Sequence, residues 1–280
     1  MSKDVILFCG QSNMQGQSER LTNMDEIEGA YEYRFLEDRI KPLSNPVGEC
    51  IRYDGTEGYV CHKKEDIPVW LGDHVLGSAT GGFTNLVPEF CRAYHQKCGR
   101  EILAVHAAKG STKIAEWLPG TSGYDFIVKK AKAAIRKLEE TDQKGRVLLA
   151  WLQGESDAIA GNSTEYYKEK LCELLEALKK DVGVEKFGII RVGRFTNDEK
   201  DEAIMLAQDE ICRENSDFLM LTRIAIELNQ IPEYMNPYVR GHYSATGLEK
   251  LGAAAGETLG QWRKENENNP KTYLSIERSE

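Results

Sequence analysis

Five apolar runs separated by helical patterns constrain this chain more than any other feature. DVILFC (4–9), EILAVHAA (101–108), RVLLAWL (146–152), KFGIIRV (186–192) and DFLMLT (217–222) are almost continuously hydrophobic. A strand with one face in water alternates polar and apolar residues, whereas an unbroken run suits a strand covered on both faces. The intervening segments supply the covers: LVPEFCRAYHQK (86–97), FIVKKAKAAIRKLEE (126–140), EYYKEKLCELLEALKK (165–180), DEAIMLAQDEICREN (201–215) and, last, TGLEKLGAAAGETLGQWRKENE (246–267). Their apolar residues recur at helical spacing. Strand and helix in alternation predict an α/β chain with a parallel sheet between two helical layers.

The 280 residues can bury one large core, and the pattern reads as a single domain over 1–267. Residues 17–85 interrupt it. Rich in Gly, Pro and Asn and far longer than a usual connection, they read as a loop insertion with a functional role. The polar stretch 268–280 reads as a poorly ordered tail. A formal net charge of -9, with no basic cluster along any segment, argues against nucleic acid as a partner. The leading apolar run, Val5 to Cys9, is too short for a signal-peptide core or a membrane span, so a cytoplasmic chain with no membrane partner is expected. Seven cysteines without a CxxC argue against a disulfide framework. The oligomeric state is not written in the pattern.

In an open parallel sheet, ligands bind beyond the carboxyl ends of the strands. Strand one leads into Gly10, Gln11, Ser12 and Asn13; strand two into KGST with Gly110; strand three into QGESD with Gln153, Glu155 and Asp157. The segment after strand five carries GHYSATG with His242. Acyl transfer needs a hydroxyl nucleophile, an imidazole to take its proton, and donors aimed at the developing oxyanion. Ser12 and His242 suit the first two parts, and the backbone N–H groups of Ser12 and Gly110 with the side-chain amide of Gln153 suit the third. Each has a plainer use as well: a serine closes a turn, a glycine permits a positive φ, a glutamine ties loops together. His62 and His74 lie in the insertion, His95 on a helix and His106 in a buried strand, so location selects His242. There is no GxGxxG, P-loop, HExxH or GxSxG, and Cys91, His95 and Cys98 read as parts of one amphipathic helix rather than metal ligands. No cofactor and no metal are expected.

These motifs resemble the SGNH (GDSL-like) hydrolase superfamily, and within it the sialate O-acetylesterase and acetylxylan esterase group, carbohydrate esterase family six. GQSNMQG (10–16) looks like the nucleophile block, AAKGSTKIAEW (107–117) the glycine block, WLQGESDA (151–158) the block in which this group writes QGE, and GHYSATGLEKLG (241–252) the histidine block. The resemblance runs in order through residues 5–260. It implies a flavodoxin-like three-layer α/β/α sandwich with a five-stranded parallel sheet. It also implies a serine esterase that removes O-acetyl groups from an acetylated sugar, of xylo-oligosaccharide or sialic acid type. Ser12 would be the nucleophile, His242 the base, and Ser12, Gly110 and Gln153 the oxyanion hole, with no cofactor.

One position departs from the pattern. The superfamily commonly has an aspartate three residues before the histidine, where this chain has Val239, and nothing acidic lies between Glu233 and His242. Either Ser12 and His242 act as a dyad or an acid comes from elsewhere. Glu155 is the candidate, with a structural role around the nucleophile loop as the even alternative. Gln11, Asn13, Arg194 and Trp70 are candidate substrate contacts, Trp70 with Tyr53, Tyr59 and Phe83 as stacking surfaces. Two rivals stay open. A lysophospholipase or thioesterase would want an apolar groove where the chain has Gln15, Gln17, Ser18 and Glu19; a non-catalytic sugar-binding homologue would suit Val239.

Overall fold

The computed structural model describes residues 2–19, 22–23, 25–35, 37–45, 47–48, 51–52, 60–61 and 84–267. Its strands are β1 (Lys3–Gly10), β2 (Ala30–Arg34), β3 (Arg39–Pro42), a separate two-residue ladder of β4 (Ile51–Arg52) with β5 (Val60–Cys61), β6 (Glu101–Ala108), β7 (Lys144–Leu152), β8 (Lys186–Ile190) and β9 (Phe218–Thr222). Its α-helices are α1 (Ser12–Gln15), α2 (Val87–Cys98), α3 (Ser122–Glu139), α4 (Glu155–Ala160), α5 (Thr164–Val182), α6 (Glu199–Glu214), α7 (Ala225–Leu228) and α8 (Ala245–Glu265).

The main sheet is ordered β3-β2-β6-β1-β7-β8-β9. All five apolar runs lie in it, parallel to one another, in the flavodoxin-like order second, first, third, fourth, fifth. The chain steps outward from β1 to β6, then crosses back to β7 on the other side. Right-handed crossovers in opposite directions put their helices on opposite faces: α2 and α8 pack together on one, α3, α5 and α6 on the other. The reversal also opens a crevice above the carboxyl ends of β1, β6 and β7.

Local chemistry sets the helix starts. The side chains of Thr121, Ser163, Asp198 and Ser244 each accept a backbone N–H of the first turn of α3, α5, α6 and α8, and each such cap is worth about 1 kcal/mol. At the amino end of β1, Asp4 is fully buried. It accepts from the Tyr94 hydroxyl at 2.8 Å, Arg263 Nε at 2.8 Å and the Arg146 N–H at 2.9 Å, joining β1, α2, α8 and β7.

Among the described residues the sheet has seven strands instead of the expected five, and the additional two come from the stretch read as a loop insertion. β2 pairs parallel with β6, and β3 antiparallel with β2. A hydrophobic reading passes over β2 because the strand buries charge: Arg34 donates to Glu32 at 3.3 Å, and the Gly48 N–H donates to Glu32 at 2.8 Å. Burial, partly offset by Arg34, still holds the Glu32 carboxyl above the usual range. β3, RIKP, has the charge and proline of an edge strand.

Trp70, Tyr53, Tyr59, Phe83, His62, His74 and the tail 268–280 lie outside the described residues. Among the described residues, Cys9, Cys91, Cys98, Cys172 and Cys212 are free, and no helix is long and apolar enough to cross a membrane.

Candidate active site

β1 ends at Gly10, where φ is +146° and an added Cβ would stand 2.0 Å from Leu152 O. Only glycine lets the end of β1 pass this close to β7. The chain then turns into α1, with Ser12 as its first residue. Gln11 is buried, and its Oε1 accepts from Gln153 Nε2 at 3.2 Å, the Ser156 N–H at 3.1 Å and the Gly154 N–H at 3.4 Å. Expected to touch substrate, Gln11 instead ties the nucleophile turn to the turn between β7 and α4.

Ser12 Oγ and His242 Nε2 are 2.8 Å apart. On the other side of the ring, His242 Nδ1 is 3.0 Å from Arg240 O. A carbonyl only accepts, so Nδ1 carries the proton and Nε2 is left as the acceptor facing the hydroxyl. Burial holds the imidazole below the ordinary histidine value of 6.5, with the Arg240 bond pulling partly the other way, so the ring is neutral at pH 7.

The ring is also walled. Phe195 meets it edge-on, centroids 5.8 Å apart, and Gly241, at φ +76°, makes room: an added Cβ would stand 2.3 Å from the Phe195 ring. Buried Asp201 holds that phenylalanine by accepting the N–H groups of Phe195, Thr196 and Asn197 at 2.7–3.0 Å. The loop carrying His242 is pinned by Asn236, whose Oδ1 accepts the Tyr238 and Val239 N–H groups and whose Nδ2 donates to Gln17 O. Neither Phe195 nor Asn236 stands in a motif, so nothing in the sequence singles them out.

The other expected site residues divide. Gly110 lies against the nucleophile, so close that an added Cβ would stand 3.5 Å from Ser12 Cβ, but its N–H donates to Gln15 Oε1 at 2.8 Å. Gln153, expected in the oxyanion hole, has its amide committed elsewhere. Nε2 meets Asp157 Oδ2 at 2.6 Å, Thr112 O at 2.8 Å and Gln11 Oε1, while Oε1 accepts from the Tyr167 hydroxyl at 2.8 Å. Three acceptors compete for two hydrogens, leaving none for a substrate oxygen. Glu155 bonds not His242 but Asn13, whose Nδ2 donates to Glu155 Oε1 at 2.8 Å. Asn13 is itself buried in that bond rather than open to substrate. Arg194, a candidate substrate contact, pairs with Glu202 at 2.8 Å on the surface.

Comparisons with known proteins bear on the family and the fold. Residues 2–259 match the family described as SASA, carbohydrate esterase, sialic acid-specific acetylesterase. A probable carbohydrate esterase from Arabidopsis thaliana is 26% identical over 193 residues, 67% of each chain. Its crystal structure aligns with a TM-score of 0.60 at 16% identity, covering 92% of this chain and 98% of that one. The crystal structure of NanS aligns with a TM-score of 0.60 at 13% identity, covering 94% and 98%. At these identities the two structures speak for the fold alone, and it is the family match, running almost from end to end of the described residues, that assigns the chain: it belongs to the carbohydrate esterases of the sialic acid-specific acetylesterase family and is a carboxylic ester hydrolase.

Proposed function

We propose that the protein removes O-acetyl groups from carbohydrates, of sialic acid or acetylated xylo-oligosaccharide type, through an acetyl-serine intermediate. The observation that carries this reading is the 2.8 Å approach of Ser12 Oγ to an imidazole nitrogen left free to accept. Ser12 passes its proton to His242 Nε2 as Oγ attacks the acetyl carbonyl. The tetrahedral intermediate collapses, the imidazolium returns the proton to the departing sugar oxygen, and the acetyl group stays on Ser12. Water, deprotonated by the same ring, then attacks the acetyl-serine and acetate leaves.

The oxyanion needs donors. Ser12 opens α1, so its own N–H has no intrahelical acceptor. Gly110 N–H is the second donor, and in the free protein Gln15 Oε1 occupies it as a substrate oxygen would. The substrate exchanges for Gln15. A net hydrogen bond is worth about 1 kcal/mol, so Gln15→Ala is expected to raise kcat/KM about fivefold. An unchanged or lower value would remove Gly110 from the oxyanion site.

The base sets the pH dependence. A ring whose pKa is depressed keeps its neutral, proton-accepting form to lower pH, so the acid limb of kcat/KM should fall below 6.5. A limb centred above 6.5 would contradict the environment described for His242.

The deciding experiment is acetate release from O-acetylated sialic acid and from acetylated xylo-oligosaccharides, wild type beside Ser12→Ala. Release that disappears in the variant is expected. Undiminished release in the variant would overturn the serine mechanism, and no release by the wild type from either sugar would overturn the substrate class.

A further inference from the structure

Asn13 follows the nucleophile along α1 and is 2% exposed. Its amide reaches three groups: Nδ2 donates to Glu155 Oε1 at 2.8 Å and, more weakly, to Gly241 O at 3.4 Å, while Oδ1 accepts the Tyr243 N–H at 3.3 Å. Gly241 and Tyr243 flank His242, so one side chain touches the backbone on each side of the base. The ring's own anchor, Arg240 O, lies in the same stretch. The helix that carries the nucleophile therefore also holds the segment that carries the base.

An amide can turn end for end, and its neighbours decide which end faces which group. A carboxylate accepts and does not donate. Glu155 therefore takes the NH₂ end of Asn13 and leaves Oδ1 for the Tyr243 N–H. Turned over, the amide would set its oxygen against the carboxylate and its NH₂ against an N–H, losing both bonds.

Glu155 itself is costly. It is buried at the first position of α4 with Oε2 lacking any hydrogen-bond partner, and no ion pair reaches it among the described residues. Burial raises its pKa, with Asp201 and Asp157 adding to the effect and the Asn13 bond opposing it. Burying an acid without a cation is unfavourable, and the bonds from Asn13 and from its own backbone N–H are what offset that cost at Glu155.

The geometry points to Asn13 and Glu155 as positioning residues, a strut that sets the His242 segment against Ser12 where a carboxylate on the ring would otherwise do so. This inference rests on the reading of Ser12 and His242 as the reacting pair. Neither strut residue touches substrate. Their effect is on the approach of Nε2 to Oγ, and it therefore falls on the chemical step rather than on sugar binding.

Three variants test it, with steady-state kinetics and melting temperature measured on each. Asn13→Ala removes the ties, and Asn13→Asp sets two acids against each other. The pair Asn13→Asp with Glu155→Gln exchanges donor and acceptor: the introduced amide donates to the introduced carboxylate, whose other oxygen accepts the Tyr243 N–H. Both single variants are expected to lose about 100-fold in kcat with little change in KM, as misplacement of a reacting group by about 1 Å would give. The pair is expected to recover most of that loss. Asn13→Ala added to Ser12→Ala should cost nothing more, since it acts through the same serine.

Folded single variants with wild-type kcat would overturn the strut, as would a pair no more active than Asn13→Asp alone. If Asn13→Ala does not fold, the comparison of Asn13→Asp with the pair decides. Ser12→Ala run alongside separates the two proposals: normal Asn13 variants with an inactive Ser12→Ala defeat the strut only, and an active Ser12→Ala defeats the reading beneath it.

Discussion

Ser12→Ala and His242→Ala are each expected to lower kcat for acetyl-ester hydrolysis by about 10⁴- to 10⁶-fold, and the double variant to fall no further. The reason for the shared floor is the 2.8 Å contact itself. Without the imidazole the hydroxyl keeps its proton and is a poor nucleophile; without the hydroxyl the imidazole has nothing to activate in the first step. Either loss disables the same event. What survives comes from substrate held near the oxyanion donors, which neither substitution removes. Losses that multiply in the double variant would mean that the two residues serve separate steps. Both side chains sit at the end of a hydrogen-bonded pair, and their segments are held by other groups: Leu152 O on the Gln11 N–H, Asn236 on the histidine loop. The variants should melt close to the wild type.

The second large effect lies at the other end of the sheet. Asp4→Ala is expected to cost about 3–5 kcal/mol of unfolding free energy, measured by urea denaturation, because it strands a buried cation. Arg263 is buried, and its NH1 already lacks a partner, so the Asp4 bond at 2.8 Å is the tie that compensates its charge. The Tyr94 hydroxyl and the Arg146 N–H lose their acceptor at the same time. Replacing Arg263 by Met in the Asp4→Ala background should return part of the loss, since removing both charges ends the desolvation penalty of the survivor. Where the doubly substituted protein is no more stable than Asp4→Ala, the charge argument fails and packing alone is responsible. Asp4 lies near the start of β1 and Ser12 follows the opposite end of that strand, so kcat in the folded variant should match the wild type.

Legibility in the sequence follows how much each feature depends on local pattern. The five parallel strands declare themselves because both faces are covered, whereas their order, second, first, third, fourth, fifth, is seen in the structure and is not set by strand-helix alternation, which several doubly wound orders share. β2 does not declare itself, because Glu32 and Arg34 neutralise each other inside and break the apolar run. Ser12 and His242 can be named because each sits in a loop past a strand end. The amides cannot. Gln11, Asn13 and Gln153 stand in those same loops, yet their roles depend on partners 142 residues away in two cases and 41 in a third, which no motif spells out. Glu155 is legible as an acid on the same edge as the nucleophile turn but not in its burial or its partner: it bonds Asn13, one bond removed from the histidine segment.

Val239 leaves the usual acidic position empty, and the ring is instead oriented by the peptide oxygen of Arg240. That substitution moves a side-chain task into the main chain. Any residue at position 240 brings the same oxygen, so an alanine scan would pass over it. The anchor also cannot be protonated, so it keeps its grip on the imidazole in acid, where a carboxylate would let go. Such a site is robust to mutation at the very residue that holds its base in line.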